Sequence, residues 1–467
     1  MQLSLGDVAS ILGSSCGVPE RMALGYSIDS RTVKPGELFF AIRGKHFDGH
    51  EFVVAAFERG AVGAVVERGF LKLAPHTLTP ALIPLRNPLH GLQRLALGVR
   101  RRWGGRLVAI TGSTGKTTTK EMLAAILVRR SSVLKSAGNL NNDYGVPLTL
   151  LALEPSHDVA VVELAMSAPG EIARLARIAE PQVGVITNVA PVHLQFFDSV
   201  DAIARAKREL IQNLRGSSTA VLNYDDPRVR RFADGFGGGI VTFGFESGAM
   251  FQAVDLRTPQ EGETDFTVKG QGMDSQFHLP LPGRHNVQNA LAAIATASLF
   301  DIPTSDLREA IAHYQTLHQR SEIIRLPRGI TVLDDSYNSN PLAMERMLET
   351  VAAWPGAKRR IVVAGEMLEL GSSSPELHKE VGRRCVKSGV DWLLAVQGEA
   401  RFILEGAGEM GLPDDRGRFF PTAQGAGDYC ASLLQSGDVV LVKGSRGVHL
   451  EKVVDVLRSH TQASPPQ

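Results

Sequence analysis

A short glycine-containing segment at residues 112–118 has the residue types and order needed to bind a phosphate group. Gly112 and Gly115 let the backbone curl so that its N–H groups can point at an anion, and a helix starting at Lys116 adds positive potential. The Lys116 ammonium would hold the terminal phosphates of ATP, and the Thr117 hydroxyl would bind Mg²⁺. The predicted cofactor-binding residues of this segment are Gly112, Ser113, Thr114, Gly115, Lys116, Thr117 and Thr118.

This segment departs from the common phosphate-loop pattern GxxxxGK[ST], because the first glycine of that pattern would fall at Ile110. The alternative is a tight turn between a strand and a helix that carries a lysine by chance. A buried strand predicted at 107–111 and a helix predicted at 116–130 favour the phosphate loop, since that loop joins such a pair of elements.

Three further side chains could take part in phosphate chemistry. Glu163 ends a strand predicted at 159–164, where an open α/β sheet presents its ligands. We predict that it binds magnesium, and a helix cap is the alternative. His193 follows a strand predicted at 183–188, but imidazole is a poor magnesium ligand, so the residues alone favour an ordinary loop position. Lys207 lies on a predicted helix, where composition alone indicates a solvated lysine.

The elements that must position these residues fall into three blocks, at 1–85, 86–316 and 317–467. The first has short strand-like runs separated by Gly- and Pro-rich turns. In the other two, apolar strands alternate with amphipathic helices, which predicts an α/β fold with parallel sheets covered on both faces. Residues 244–281 predict a small antiparallel addition. The predicted strands are 37–42, 61–66, 107–111, 159–164, 183–188, 220–223, 330–334, 360–364, 392–396 and 439–442.

The composition excludes several classes of protein. The chain of 467 residues is 43% hydrophobic and 21% charged, as expected for a globular protein. Its net charge of +1 gives no electrostatic basis for binding nucleic acid or an anionic membrane. Neither a signal peptide nor a membrane span is predicted. The three cysteines, Cys16, Cys385 and Cys430, form no CxxC pair and suit a reducing compartment. We therefore expect a cytoplasmic protein.

Several segments together resemble the Mur ligase family. The phosphate segment GSTGKTT at 112–118 is similar to the phosphate loop of these enzymes. The other similar segments, in the order expected for the family, are DSR at 29–31, FDGH at 47–50, NVAPVH at 188–193, GRHNVQNA at 283–290, DDSYNSNP at 334–341, GEMLELG at 365–371 and KGSRG at 443–447. The segment at 334–341 resembles the family member that adds D-alanyl-D-alanine. The resemblance spans almost the whole chain.

The resemblance implies three domains and an amide-forming reaction. An N-terminal α/β domain would hold the UDP end of UDP-N-acetylmuramoyl-tripeptide, a central parallel sheet would carry the phosphate loop, and a C-terminal Rossmann-like domain would close over both and help bind D-alanyl-D-alanine. ATP would convert a carboxylate into an acyl phosphate, which the amine of the dipeptide attacks. Such phosphoryl transfer needs positioning and charge neutralisation more than covalent help from the protein.

The resemblance also implies roles for individual residues. It places His193 near a second metal ion, and it aligns Lys207 with a lysine that can be carbamylated into a magnesium-binding anion. Together with Lys116, these form the implied catalytic set. The implied metal ligands are Thr117, Glu163, His193 and, if carbamylated, Lys207. The implied contacts to ATP beyond the loop are Asn286, Arg320 and Asp335, and those to the substrates are Ser30, Arg31, Asn139, Asn142 and Asn338.

Some of these residues have plainer alternatives. Asn286 could cap a helix at 287–298, Arg320 could form an interdomain salt bridge, and residues 139–142 could form a turn with Asx hydrogen bonds. For the whole chain, the alternatives are another ligase of the superfamily, such as a folylpolyglutamate synthase, or a P-loop switch or transport ATPase. We expect a monomer, and the sequence leaves open whether the third peptide residue is lysine or diaminopimelate.

Overall fold

The first block of the chain folds around a small parallel sheet. A computed structural model describes residues 1–192 and 194–463. The elements of this block are β1 (Leu3–Ser4), α1 (Leu5–Leu12), β2 (Met22–Ala23), β3 (Gly25–Ser27), β4 (Glu37–Phe40), α2 (Val53–Glu58), β5 (Gly63–Glu67) and β6 (Leu82–Leu85). Strands β3 to β6 pair in chain order, all parallel. The strand predicted at 61–66 starts two residues later, because the Ala61 N–H still closes the end of α2 on the Ala56 carbonyl.

Helix α3 (Pro88–Trp103) connects the first block to the second. Asn87 caps its start by accepting a hydrogen bond from the His90 N–H, and Gly104 ends it with a left-handed φ of 70°. Its apolar face packs on α1 and on helices of the second block within one continuous hydrophobic core. The first two blocks therefore share buried surface.

The second block forms a nine-stranded sheet. Its strands are β7 (Arg106–Thr111), β8 (Val133–Lys135), β9 (Val159–Glu163), β10 (Val183–Ile186), β11 (Thr219–Asn223), β12 (Gly239–Gly244), β13 (Phe251–Arg257), β14 (Thr264–Gly270) and β15 (Met273–Leu279). Its helices are α4 (Lys116–Leu127), α5 (Gly145–Leu151), α6 (Glu171–Ala179), α7 (Val200–Gln212), α8 (Pro227–Arg230), α9 (Arg284–Ala297) and α10 (Thr304–Ala312).

The strand order in this sheet is β15-β14-β13-β12-β11-β10-β7-β9-β8. Strands β8 to β13 pair in parallel, whereas β14 and β15 pair antiparallel at one edge. This confirms the antiparallel addition predicted for 244–281. Helices α3, α5, α6 and α7 bury one face of the sheet, and α4, α9 and α10 bury the other. Burial on both faces explains why the parallel strands are continuous apolar runs.

The third block is a six-stranded sheet ordered β16-β17-β21-β18-β19-β20, with only β16 antiparallel. Its strands are β16 (Glu322–Leu326), β17 (Ile330–Asp334), β18 (Arg359–Gly365), β19 (Trp392–Val396), β20 (Gly417–Phe420) and β21 (Asp438–Lys443). Its helices are α11 (Pro341–Ala352), α12 (Ser374–Lys387), α13 (Arg401–Glu409), α14 (Ala423–Leu433) and α15 (Glu451–Ala463). The second open α/β sheet is thus confirmed. Across the described part of the chain, none of the helices is long and apolar enough to cross a membrane.

Candidate active site

One cleft lies between the central and third sheets, at the carboxyl ends of their parallel strands. It has a volume of about 500 Å³ and is lined by residues that follow β7 and β9 on one side and β17, β18 and β21 on the other. Open α/β sheets bind their ligands at this edge, because the loops after the strands converge there. Two sheets that face each other in this way can enclose a ligand from both sides.

The predicted phosphate loop forms part of the cleft wall, between β7 and α4. Gly115, the residue immediately before α4, has a φ of +80°, and a Cβ atom there would lie 2.1 Å from Oδ1 of Asn289. A Cβ atom on Gly112 would lie 1.8 Å from Oγ1 of Thr187. Both positions therefore require glycine because neighbouring side chains approach the backbone closely.

The Lys116 side chain folds back over this loop. Its Nζ donates to the Gly112 carbonyl at 2.9 Å and lies 3.5 Å from the Ser113 carbonyl. Burial lowers the pKa of the Lys116 ammonium, the Glu163 carboxylate opposes that effect, and Arg320 adds to it. A negatively charged phosphate in the loop would compensate the positive charge of the half-buried Lys116.

Thr117 and Glu163 bring two hard oxygen donors together beside the loop. The Thr117 hydroxyl donates to Oε2 of Glu163 at 2.8 Å, and the Asn141 amide donates to Oε1 at 2.9 Å. The Glu163 carboxylate is buried, and the hydrogen bonds it accepts come from these two side chains. A helix cap would accept from backbone N–H groups, so the helix-cap alternative does not describe these contacts. A hydroxyl and a carboxylate are the donors that Mg²⁺ prefers, and the pair fits a magnesium ion.

Lys207 is buried on the sheet side of α7, with 2% of its surface exposed. The interpretation as a solvated lysine is therefore wrong, because Lys207 follows Ile203 by one helical turn and shares its apolar face. Burial and, secondarily, the charge of Lys116 hold the pKa of Lys207 well below its usual range. His193, the third member of the predicted catalytic set, lies outside the described residues.

The third block contributes cations and carboxylates to the opposite wall. The Arg320 guanidinium stacks 4.2 Å from the centre of the Tyr337 ring, and no salt bridge to Arg320 is formed within the described chain. Asp335 accepts a hydrogen bond from the Ser321 N–H at 2.9 Å and forms an ion pair with the buried Lys443. This ion pair joins the ends of β17 and β21.

Three predicted asparagines also line the cleft: Asn139, Asn286 and Asn338. The Asn286 amide donates to the Pro282 carbonyl at 2.9 Å. Helix α9 starts at Arg284, two residues before Asn286. Asn286 therefore lies inside the helix and does not cap its start, which was the alternative considered for it. The Asn338 carbonyl accepts from Lys443 Nζ at 3.0 Å.

Other predicted residues lie away from this cleft. Oδ1 of Asn142 accepts from the N–H groups of Tyr144 and Gly145, at 3.2 and 2.9 Å, which is the Asx turn considered as its alternative. Ser30 and Arg31 lie in the first block, where Arg31 forms a bidentate pair with Asp29 at 2.9 and 2.7 Å. The Arg31 side chain is 84% exposed, so it is accessible to a ligand.

One residue of the cleft wall carried no signal in the sequence. Arg346 on α11 donates from Nη1 to the Thr114 hydroxyl and from Nη2 to Oε1 of Gln288, both at 3.0 Å. It thus links the third block to the phosphate loop and to α9. Within the described chain it forms no ion pair, and burial lowers the pKa of its guanidinium. Only the docking of α11 on the central block reveals this contact.

Two further residues could have been found from the segments that resemble the family. Asn188 begins the segment at 188–193, and its side chain accepts from the Thr114 N–H at 3.0 Å and donates to the Thr114 carbonyl at 3.1 Å. Lys443 begins the segment at 443–447 and holds Asp335. Both residues position parts of the cleft wall.

Comparison with protein families covers most of the chain. Residues 24–96 match the model described as Mur ligase family, catalytic domain, and residues 110–297 match the Mur ligase middle domain. Residues 319–446 match the model described as Mur ligase, glutamate ligase domain. The three matches follow one another in the order of the three sheets.

Similar proteins agree with these matches. UDP-N-acetylmuramoyl-tripeptide--D-alanyl-D-alanine ligase of Bacillus subtilis is 34% identical over 436 residues, which cover 93% of each chain. The protein of the same name from Escherichia coli is 32% identical over 475 residues, covering 98% of this chain and 99% of that one.

Solved structures show the same likeness in three dimensions. MurF from Acinetobacter baumannii superposes with a TM-score of 0.89 at 29% identity, covering 98% of this chain and 99% of that one. MurF from Thermotoga maritima in complex with ADP superposes with a TM-score of 0.83 at 28% identity, covering 94% and 98%. With three matching domain models and relatives above 30% identity over nearly the whole length, this chain belongs to the Mur ligase family.

Proposed function

We propose that this protein is an ATP-dependent ligase that adds D-alanyl-D-alanine to UDP-N-acetylmuramoyl-tripeptide in the synthesis of peptidoglycan precursors. The observation that carries the proposal is the cleft between two sheets, in which a phosphate loop faces cationic side chains of another domain. The names of the similar proteins supply the substrates. The peptide carboxylate attacks the γ-phosphate of ATP, ADP leaves, and the dipeptide amine then displaces phosphate from the acyl phosphate.

The phosphate loop binds and orients ATP in this proposal. The Lys116 ammonium would release its hydrogen bond to the Gly112 carbonyl and donate to phosphate oxygens instead. The loop N–H groups and the start of α4 would complement the negative charge of the phosphates. Thr117 and Glu163 would hold a magnesium ion, which would supply positive charge to the transferring phosphate. His193 is proposed as a ligand of a second metal ion on the family resemblance alone.

Lys207 is proposed as a carbamylated lysine. Its buried position and lowered pKa favour the neutral form of the amine over the ammonium. The neutral Nζ attacks CO₂, a C–N bond forms, and one proton is lost, which leaves a carbamate anion. This anion would offset the positive charge of the nearby Lys116 and would offer two oxygens to a metal ion.

The third domain completes the site when it lies over the central domain. Arg320 would offer donors to the nucleotide phosphates. Asp335, which Lys443 holds, is proposed to face the nucleotide, and Asn338, which lines the cleft, is proposed to face the incoming amine. Asn286 is proposed to contact ATP from α9. The proposed substrate contacts elsewhere are Ser30, Arg31, Asn139 and Asn142.

The proposal includes three domains with boundaries near residues 85 and 316. Each would contain one of the main sheets, and α3 would join the first two. We also propose that the protein acts as a monomer in the cytoplasm, where ATP is available. Its three cysteines are free, which suits a reducing compartment.

The test is release of phosphate from ATP with each substrate present or absent. We expect turnover only when UDP-N-acetylmuramoyl-tripeptide and D-alanyl-D-alanine are both supplied, and mass spectrometry should detect the pentapeptide product. Running lysine- and diaminopimelate-containing tripeptides side by side identifies the accepted third residue. Equal ATP turnover without either substrate would favour a switch or transport ATPase. Glutamate addition to a folate would favour the folylpolyglutamate synthase activity.

A further inference from the structure

Three side chains of metal-ligand type meet on the third sheet, beside the cleft. They are His318, Glu322 and Asp334, and one ligand atom from each lies within 4.8 Å of the other two. Glu322 begins β16 and Asp334 ends β17, and the two are directly paired in the antiparallel register. His318 precedes β16, with Nδ1 at 2.6 Å from Oε2 of Glu322. None of the three has a role in the proposed ligase reaction.

Asp334 is a buried carboxylate, and a nearby positive charge would stabilise its ionised form. Its side chain is 0% exposed. Oδ1 accepts a hydrogen bond from the Ser336 N–H at 3.0 Å, whereas Oδ2 has no hydrogen-bond partner in the described part of the chain. A buried carboxylate oxygen without a partner is costly, and a like charge directly opposite on a neighbouring strand adds repulsion. Burial raises the pKa of Asp334, and Glu322 adds a smaller increase, while the Ser336 hydroxyl and N–H and, least, His318 oppose them.

Both carboxylate oxygens of Glu322 have partners among the described residues, whereas Oδ2 of Asp334 has none there. Arg458 donates from Nη2 to Oε1 of Glu322 at 3.0 Å, and His318 occupies Oε2. No ion pair to Asp334 is formed by any residue that the structure describes. A proton or a bound cation must therefore supply the missing charge at Asp334.

We propose that His318, Glu322 and Asp334 bind a divalent transition-metal ion of the zinc class. One imidazole nitrogen and two carboxylates form a donor set that such ions accept at about 2.0–2.2 Å. The imidazole distinguishes this set from the all-oxygen pair Thr117 and Glu163, since Mg²⁺ disfavours nitrogen ligands. His318 is 67% exposed, so it can move from its hydrogen bond into a coordinating position, and water can complete the coordination.

The ion would anchor the loop that presents Arg320 to the cleft. Gln319 has a φ of +63° and Ser321 a φ of +50°, so non-glycine residues in the left-handed region stand on both sides of Arg320. Such conformations persist only where surrounding contacts hold them. A metal ion that ties His318 to the sheet would hold this loop. An effect of the ion on ATP binding, through the position of Arg320, rests on the proposed function. Binding of the ion itself does not.

The test titrates the full-length, nucleotide-free protein with Co²⁺, followed by absorption spectroscopy, and with Zn²⁺, followed by calorimetry. We expect one site per chain whose affinity falls at least about tenfold in His318→Ala and in Asp334→Asn, since even loss of a partner that orients a ligand costs that much. The matched control is His449→Ala, because His449 is also an exposed histidine, 3.1 Å from a single carboxylate of Glu451. This control should bind as the wild type does. Zn²⁺ should raise the Tm of the wild type and of the control, but not that of His318→Ala.

Several outcomes would overturn the site. Absence of a bound ion would refute the site, and equal binding by His318→Ala and the wild type would reduce it to adventitious surface binding. An increase in Tm for metal-free Asp334→Asn, together with no ion bound to the wild type, would show that a proton supplies the missing charge. All these measurements omit ATP and both substrates. Their result therefore does not depend on whether the ligase proposal holds.

Discussion

Arg346 provides the sharpest test of how the third domain contributes to the nucleotide site. Its guanidinium reaches across from α11 to the Thr114 hydroxyl of the phosphate loop and to Gln288, at 3.0 Å each, without a carboxylate partner in the described chain. A cation held in this way can turn to an anion placed in the loop. The perturbation is Arg346→Met, which removes the charge and keeps much of the side-chain volume.

The magnitude follows from the bonds that are lost. A hydrogen bond from a charged donor contributes about 1.5–3 kcal/mol, and about 1.4 kcal/mol corresponds to a tenfold change in affinity. We therefore expect the KM for ATP to rise roughly ten- to hundredfold. The Tm should change little, because loss of the two bonds is offset by removal of a partly buried charge that has no counter-ion.

The assay measures phosphate release against ATP concentration at saturating levels of both other substrates. The matched control is Arg325→Met, which removes another contact between the third and central blocks, to Glu261, at a site outside the cleft. Arg325→Met should leave the KM for ATP near the wild-type value. A KM within about threefold of wild type in Arg346→Met, or an equal rise in the control, would refute a phosphate-directed role.

Other substitutions test the loop and its surroundings. Glu163→Gln keeps the shape but removes a carboxylate from the magnesium pair, so kcat should fall at least about a hundredfold; an unchanged Mg²⁺ dependence of phosphate release would contradict this. Gly115→Ala should lower the free energy of unfolding by about 1 kcal/mol or more in thermal melts, since φ is +80° and Asn289 occupies the Cβ position, and a wild-type Tm would count against it. Asn142→Ala should cost about 1 kcal/mol in urea unfolding through loss of its Asx bonds, and unchanged stability would show that those bonds contribute nothing.

Local patterns were sufficient where one segment carries the whole signal. The strand at 107–111, the glycine-containing turn and the helix from Lys116 are adjacent in the chain, so their order predicts a phosphate loop directly. Four parallel strands of each larger sheet are also predicted, because burial on two faces selects continuous apolar runs. The strands β8, β12, β16 and β20 are not among the predicted ones. The helix–strand alternation was enough to indicate parallel sheets.

The environment of single side chains was harder to predict. Lys207 was interpreted as solvated from composition, although its spacing from Ile203 already placed it on the apolar face of α7. For Asn142, the structure shows the oxygen accepting hydrogen bonds at the start of α5, and its contact to the substrate stays a prediction. A polar residue in a loop has the same composition whether it binds a ligand or its own backbone.

The sequence by itself determined the α/β architecture, the phosphate loop and the family, because the residues that indicate each of them are adjacent in the chain. Only the tertiary structure decided which side chains share the cleft. Arg346 and Thr114 are 232 positions apart, and Asp334 lies opposite Glu322 only through the β16–β17 register. Contacts of this kind depend on how sheets and helices dock, because distance along the chain does not determine distance in space. The same packing buries Asp334, to which no residue of the described chain forms an ion pair.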